Sequence, residues 1–394
     1  MLKRIGIITM YHNSQNYGGV LQAYALQKAI ENLGYNSEQI SFLKDNQDCL
    51  SNRIRSRLGS ESKLKLIDWI LNRCWRKLIS KLAGFIFGRK MDGCLQIRKN
   101  KFQSFREEIP HSDEFTSSTI TNCVDRYAAF ICGSDQIWKP GVLCSEFMLD
   151  FVPKEKVKMS YAASISRSNL SQVDIERLVC GINQLNAVSL REKQDVELLQ
   201  KYTNKEISWV LDPTLLLDRK EWEKLSVCVP IEGPYLFCYL LGNDSTQRRI
   251  ILKTARMMHM KIVSIPFADG KYNFVDLKFG DIKIGDAGPL EFLSLIKNAH
   301  IVITDSFHAT VFSSIFDRDF YVLERAEEPT MNTRILSLLE ILEVSERFVK
   351  TNELADKIIN GIQTAPSSGR KLSQMRSLSM AYLKKGLSQE IACI

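Results

Sequence analysis

The sequence predicts two α/β domains, each built on a doubly wound parallel sheet, that face each other across a cleft. Short apolar runs alternate with segments of helical periodicity, which is typical of parallel strands joined by crossover helices. The alternation stops at a polar stretch after Pro213 and then restarts. The 394 residues, 45% of them hydrophobic, are enough for two cores. We therefore expect a ligand site in the cleft, where strand-end loops of both sheets meet.

The first predicted domain covers residues 1–225. It opens with the strand IGIITM, the Gly/Asn-rich loop YHNSQNYGG and the helix VLQAYALQKAIENLGY. Short apolar runs predict four later strands, at 127–132, 158–163, 187–190 and 208–212. Two helices, near 171–183 and 192–202, separate the last three of these strands.

The second predicted domain covers residues 226–350, with the boundary in the polar region 220–232. Its strands are predicted in the runs PYLFCYLL, KIVSIPF, HIVITD and DFYVLE. Its helices are predicted at 245–258, at 289–298 and from about 308. A helical tail, 351–394, follows, and the sequence leaves open which domain it packs against.

Targeting and metal-binding signals are weak in this sequence. The first residues lack the long apolar run of a secretory signal, and no run of eighteen apolar residues predicts a membrane span. The ten cysteines contain no CxxC pair, which favours buried free thiols in a reducing compartment. No His/Asp/Glu cluster has metal-ligand spacing. We expect a cytoplasmic protein with no metal and no cofactor.

Excess positive charge is concentrated in a basic insert, residues 52–101. It holds 14 Lys or Arg against 3 acids, whereas the rest of the chain holds 39 basic and 42 acidic residues. Apolar residues recur at helical spacing in KLKLIDWILNRCWRKLISKLAGFIFGRK, a pattern typical of a helix on an anionic membrane surface. A solvent-facing helix with a core-packed stripe is the alternative. Nucleic-acid binding is disfavoured because the charge is confined to one apolar-rich segment.

The segment HIVITDSFHATVFSSIF, residues 300–316, has the clearest chemical signal. It carries Thr304, Ser306, His308 and Thr310 at a predicted strand-to-helix corner. A helix start presents unpaired N–H groups and the positive end of its dipole, which suits a phosphate or carboxylate. A histidine there can donate a proton near neutral pH. The alternative is an ordinary N-cap followed by a histidine satisfied by packing.

Arg191 stands where the strand AVSL ends and the next helix begins. At such a corner a guanidinium points into the cleft and can grip a carboxylate or phosphate through two hydrogen bonds. The alternative is a solvated arginine in the first helical turn, a position that the helix dipole disfavours.

Two loops of the first domain complete the predicted rim of the cleft. Gly18 and Gly19 stand where the backbone either turns or approaches a ligand closely. The loop CGSDQIWKP, residues 132–140, presents Asp135 and Trp138, and an acid beside an aromatic ring suits a sugar. An Asx turn with a packed tryptophan is the alternative.

Seven segments, in order along the chain, resemble the polysaccharide pyruvyl transferase family. They are NYGGVLQAYAL, ICGSDQIW, SYAAS, VSLREKQ, VLDPTLLL, TDSFHATVFSSIF and NTRILSLLE. The resemblance implies a GT-B-like fold and transfer of pyruvate from phosphoenolpyruvate to hydroxyls of a cell-surface or capsular polysaccharide precursor, as a ketal. Acceptors of such enzymes are often lipid-linked oligosaccharides, so the basic insert is expected to contact the inner membrane face. Binding to anionic liposomes at low salt tests this expectation.

The resemblance also assigns site residues. The family's cleft arginine matches Arg191, and its acid histidine matches His308. Many members carry an arginine where this chain has Ser306, and Arg334 is the proposed substitute, ahead of Arg347 and Lys297. The predicted site comprises catalytic His308 and Asp135, donor-binding Arg191, Ser306, Thr310 and Arg334, and acceptor-binding Asn16, Tyr17, Gly18, Gly19, Ser134 and Trp138. The first domain is expected to bind the acceptor and the second the donor.

Two other functions remain open from the sequence. A GT-B glycosyltransferase that uses a nucleotide sugar is one, although no acidic pair in the second domain is placed to bind a ribose. A non-catalytic scaffold of a capsule-assembly complex is the other, and Ser306 in place of the arginine favours it.

Overall fold

The computed structural model describes residues 4–44, 75, 92–166, 170–266, 274–325, 332–361 and 369–391. These residues form parallel sheets of five, six and two strands. All strand pairings are parallel, and helices cover the sheets. The prediction of two α/β domains built on parallel sheets is confirmed.

The first domain is built on a sheet of strand order β3-β2-β1-β4-β5. Its strands are β1 (Ile5–Ile8), β2 (Ser37–Phe42), β3 (His111–Phe115), β4 (Ala129–Cys132) and β5 (Val157–Ser160). A two-stranded sheet, β6 (Val188–Leu190) with β7 (Ile207–Trp209), continues it through single bridges between β5 and β6. Strands β1 and β4 are wholly apolar or glycine and fully buried, as expected for a parallel sheet covered on both faces.

The helices of the first domain are α1 (Tyr17–Asn32), α2 (92–107), α3 (Gln172–Gln184), α4 (Lys193–Leu199) and α5 (Arg219–Glu223). Helix α1 begins three residues before the predicted start, because Asn16 caps it by accepting a hydrogen bond from the Gly19 N–H. Tyr17, Gly18 and Gly19 are therefore the first turn of a buried helix. The expectation that they lie in a loop was wrong.

The second domain has the strand order β10-β9-β8-β11-β12-β13. Its strands are β8 (Tyr235–Tyr239), β9 (Lys261–Ser264), β10 (Ile282–Lys283), β11 (Ile301–Thr304), β12 (Asp319–Leu323) and β13 (Phe348–Val349). Its helices are α6 (Ser245–Met257), α7 (Phe274–Leu277), α8 (Pro289–Lys297), α9 (Phe307–Ile315), α10 (Asn332–Ile341) and α11 (Leu354–Ile359). The segment between Trp209 and Tyr235 joins the two sheets.

An apolar cluster joins the domains on one side of the cleft. Tyr17 of α1 stacks on Phe292 of α8 with ring centroids 4.5 Å apart, and its hydroxyl donates to the Ala287 carbonyl. Trp222, from the end of the first domain, contacts Phe312 of α9 edge to face at 4.8 Å. The two cores are therefore continuous there, and the cleft is closed on that side by packed side chains.

The chain ends in helix α12 (Arg370–Ile391), which spans both domains. Near its start, Lys371 pairs with Glu340 of α10 at 3.1 Å. Further along, Leu383 and Leu387 are buried in the first domain, and the Tyr382 hydroxyl donates to the Ser160 carbonyl of β5. The structure thus answers what the sequence left open, because the tail returns to the first domain.

The predicted membrane-surface helix lies outside the described residues, since only Trp75 and residues 92–101 of the basic insert are described. The described end of the insert is docked on the second domain. There Arg98 donates to the Pro266 carbonyl, and Lys101 pairs with Glu291 at 2.7 Å. Across the ranges that the structure describes, no helix is long and apolar enough to cross a membrane.

Candidate active site

A buried polar cluster lies where the carboxyl ends of strands from both domains meet. His308 stands in the first turn of α9, just after β11. From the first domain, Asp135 follows β4, Arg191 follows β6 and Asp212 follows β7. Between 1% and 6% of each of these four residues is exposed, so the site is enclosed in this conformation.

Asp212 is the central residue of this cluster. Its Oδ2 accepts a 2.7 Å hydrogen bond from Arg191 Nη1 and a longer one, 3.4 Å, from the Ser134 hydroxyl. Its Oδ1 accepts from both the hydroxyl and the N–H of Thr214. Burial by itself would raise the pKa of this carboxyl, but His308, Arg191 and Thr214 together hold it well below its usual range. Asp212 is therefore a permanent anion inside the site.

Arg191 is surrounded by protein carboxylates. Besides Asp212, its guanidinium lies 3.2 Å from Glu192 Oε1 and 3.5 Å from Asp135 Oδ1, and it packs on the Phe307 ring at 4.4 Å. Burial by itself would lower its pKa, but the three carboxylates hold that pKa above the usual range. The positive charge of Arg191 is thus already compensated within the protein.

Arg334, on α10, is in the opposite situation. Its side chain is 5% exposed, its Nε has no hydrogen-bond partner among the described residues, and its Nη1 lies 3.9 Å from Asp135 Oδ1. Burial and the positive charge of Arg191 lower its pKa to about 10. A buried guanidinium with unused donors is costly unless an anion meets it. Arg334 therefore marks a place for a negatively charged ligand.

The start of α9 adds further donors beside Arg334. Ser306 is its N-cap residue but makes no side-chain capping bond, so the first-turn N–H groups have no acceptor from that side chain. Phe307, the first residue of α9, lies 5.8 Å from the Arg334 guanidinium. A small cavity lies beside these residues, with Arg191, Asp212, Phe307 and Arg334 in its lining.

His308 lies between the two domains. Its Nε2 is buried, lacks a hydrogen-bond partner and lies 3.6 Å from Asp212 Oδ2. Its other face meets Gly18 of α1, where a Cβ would overlap the imidazole ring at Nδ1. Glycine at this position is what lets the ring lie against α1.

A family model described as polysaccharide pyruvyl transferase matches residues 16–327. The match spans the whole cluster except Arg334. The chain belongs to the polysaccharide pyruvyl transferase family. The protein is accordingly a transferase, and the resemblance that the seven segments indicated is confirmed.

Solved structures similar to this family member include two epimerases and a transferase. The putative UDP-N-acetylglucosamine 2-epimerase from Listeria monocytogenes is 11% identical, with 99% of this chain and 97% of that chain covered and a TM-score of 0.49. The UDP-GlcNAc 2-epimerase from Neisseria meningitidis is 8% identical, with 98% and 100% covered and a TM-score of 0.49. The ADP-heptose LPS heptosyltransferase II of E. coli is 8% identical, with 99% and 98% covered and a TM-score of 0.38. Among curated proteins, none matches the sequence significantly.

The structure brings together five of the residues predicted for this pyruvyl transferase family site: His308, Asp135, Arg191, Arg334 and Ser134. Of the three cations considered as substitutes at Ser306, Arg334 alone contacts the cluster. Arg347 instead pairs with Asp319 at the start of β12, and Lys297 donates to the Ser226 hydroxyl. The roles assigned to the five residues stay predictions.

Other predicted residues are engaged elsewhere. The Thr310 hydroxyl donates to the Ser306 carbonyl within α9. Trp138 is completely buried, with its indole N–H donating to the Phe147 carbonyl. The Tyr17 ring lies in the apolar cluster between the domains, and Asn16 and Gly19 form the cap of α1. Their donor- or acceptor-binding roles stay predictions that this packing does not favour.

Asp212, Glu192 and Phe307 were not among the predicted site residues. Asp212 lies in VLDPTLLL and Glu192 in VSLREKQ, so both belong to segments that carry the family resemblance. An acid at the carboxyl end of a predicted strand is a usable signal for a strand-end site, and it was present for Asp212, the last residue of the predicted strand 208–212. Among the described residues, no group of His, Cys, Asp and Glu is arranged to hold a metal ion.

Proposed function

We propose that this protein transfers the pyruvyl group of phosphoenolpyruvate to hydroxyls of a sugar in a polysaccharide precursor and forms a ketal. The observation that carries the proposal is Arg334, a buried guanidinium without a hydrogen bond at Nε, beside the uncapped start of α9. Family membership supplies the reaction class. The charge pattern of the site supports a small anionic donor.

One anionic group of the donor finds several hydrogen-bond donors at this site. Arg334 and the first-turn N–H groups of α9 supply charge-assisted donors for a phosphate or carboxylate. The Ser306 hydroxyl adds a further donor in the same turn. Arg191 contributes its positive charge rather than free hydrogen-bond donors, because its guanidinium already donates to Asp212 and Glu192.

The chemistry needs one acid and one base near the donor's enol ether. His308 donates a proton to the methylene carbon, which forms a C–H bond and leaves positive charge on the adjacent carbon. A sugar hydroxyl attacks that carbon, and its proton passes to Asp135, whose Oδ1 is buried without a hydrogen-bond partner. Attack by a second hydroxyl then breaks the C–O bond to phosphate, the proton of that hydroxyl passes to His308, and the phosphate leaves as inorganic phosphate. The products are the pyruvate ketal and phosphate.

The test is thermal unfolding with and without millimolar phosphoenolpyruvate. A ligand present at 100 times its Kd adds about 2.7 kcal/mol of stability, so the midpoint rises measurably. We expect this rise in the wild type and in Arg249→Met, which removes an exposed arginine of α6 in the same domain. We expect it to be lost in Arg334→Met. Arg334 is a better probe than Arg191, because substituting Arg191 also unbalances three buried carboxylates.

A rise with phosphoenolpyruvate that survives Arg334→Met would remove Arg334 from the donor site. A rise with UDP- or GDP-sugars, and none with phosphoenolpyruvate, would replace the proposal with a nucleotide-sugar transferase.

A further inference from the structure

The two ring nitrogens of His308 have different surroundings. Nε2 is enclosed by protein and points at Asp212 Oδ2, 3.6 Å away, which is short enough for strong charge interaction. Nδ1 lies on the side of Gly18, at the point where any larger residue of α1 would cover it. A histidine buried for packing alone needs neither a carboxylate at one nitrogen nor a glycine at the other.

Asp212 is itself held so that it cannot turn away from this ring. Thr214 binds Oδ1 twice, through its hydroxyl at 2.6 Å and its N–H at 3.0 Å. Arg191 binds Oδ2 at 2.7 Å. Together these contacts fix the plane of the carboxylate and direct Oδ2 toward the imidazole. The side chain is completely buried, so water does not screen the interaction.

We propose that Asp212 is a positioning residue for His308, holding Nε2 so that Nδ1 carries the proton delivered to the donor. The delivery step rests on the proposed function, whereas the pairing of Asp212 with His308 does not. In the delivery step, the Nδ1–H bond breaks as the C–H bond forms at the donor's methylene carbon. The neutral imidazole that remains keeps its proton on Nε2, facing Asp212. Asp212 would thus orient His308 in the way that the aspartate of a Ser-His-Asp triad orients its catalytic histidine.

The charged groups around the ring come from several elements. Asp212 follows β7, Arg191 lies within ion-pair distance of both Asp212 and Asp135, and Arg334 lies 3.9 Å from Asp135. On the α1 side the ring meets the uncharged Gly18. Because Arg191 neutralises part of the Asp212 charge, the effect of Asp212 on His308 depends on the short distance between them.

The first measurement uses wild-type protein labelled with ¹⁵N-histidine. Two-bond ¹⁵N–¹H correlations identify the protonated ring nitrogen, and His308→Gln assigns the His308 signals among the five histidines. We expect neutral His308 to carry its proton on Nε2. A neutral ring with its proton on Nδ1 overturns the proposal. This measurement needs neither a variant at Asp212 nor a substrate.

The second measurement compares wild type with Asp212→Asn. Without the carboxylate that faces Nε2, the preference of the neutral ring for a proton on Nε2 should fall about tenfold or more. Asp125→Asn, which removes a fully exposed carboxylate, should leave that preference unchanged. An unchanged preference in a folded Asp212→Asn protein overturns the pairing. If that variant does not fold, the wild-type proton position decides.

The kinetic measurement follows release of inorganic phosphate from phosphoenolpyruvate. In Asp212→Asn, we expect a lower kcat with a nearly unchanged KM for phosphoenolpyruvate, because the substitution alters proton delivery and not donor binding. An unchanged kcat, together with a lower preference of the proton for Nε2, would overturn the role of Asp212 in delivery. Absence of turnover in the wild type would instead count against the proposed function, and the labelling experiments would still decide the pairing.

Discussion

Replacing Arg191 with methionine removes its charge and keeps most of its volume. In the wild type, the guanidinium lies 2.7 Å from Asp212, 3.2 Å from Glu192 and 3.5 Å from Asp135, and its side chain is 3% exposed. The variant leaves these carboxylates buried without that partner. Removing one member of a buried ion pair costs about 3–5 kcal/mol. We expect the free energy of unfolding at pH 8 to fall by about that amount.

The loss should become smaller as the pH falls. In the wild type the pKa of Asp212 is held well below its usual range, so its contribution to stability is present above the unfolded-state pKa and is lost only in strong acid. Without Arg191, burial favours the neutral Asp212 carboxyl and raises its folded-state pKa relative to wild type. The variant therefore gains stability relative to wild type between pH 8 and pH 5.

Urea unfolding at the two pH values measures the difference. Arg219→Met is the matched control, because Arg219 is 46% exposed and pairs with Glu223 on the surface of α5. Its unfolding midpoint should stay near that of wild type at both pH values. The inference that Arg191 balances the buried carboxylates would be refuted by an Arg191→Met protein as stable as wild type at pH 8. A loss of unfolding free energy that does not change with pH would refute it as well.

Two further predictions concern neighbours of this cluster. Gly18→Ala should be less stable than Gly93→Ala by about 1–3 kcal/mol, because a Cβ at Gly18 overlaps the His308 ring whereas one at Gly93 meets no atom within 4 Å. Urea unfolding measures this, and equal stabilities would contradict the contact. Burial, and next to it the Glu192 carboxylate, raise the pKa of Asp195 to about 8. The protonated carboxyl therefore contributes its whole stabilisation of the fold below the unfolded-state pKa, and this contribution is lost as the pH rises toward 8. Asp195→Asn should lack that decline in thermal midpoint between pH 5 and 8; an equal decline would show that another group causes it.

The strands that the sequence predicted best are the continuous apolar runs. Strands such as β4 and β11 have this pattern, because a parallel sheet covered on both faces needs apolar side chains in every direction. Strands β2 and β3 were not predicted, and β2, SEQISF, is buried although four of its six residues are polar. Strand β3, HSDEF, is an edge strand with three exposed residues out of five, so its sequence carries little apolar signal. Its place is set by pairing with β2, which is a long-range contact.

By itself, the sequence determined the two-domain α/β class, the family, and the strand-end positions of Arg191, His308 and Asp135. These follow from local periodicity and from motifs that are contiguous in the chain. Only the tertiary structure decided how their charges are used. The acids that neutralise Arg191 come from positions 135, 192 and 212, and Arg334 comes from beyond the family match. Electrostatic energy depends on distance in space and on exclusion of water, and neither is encoded in spacing along the chain.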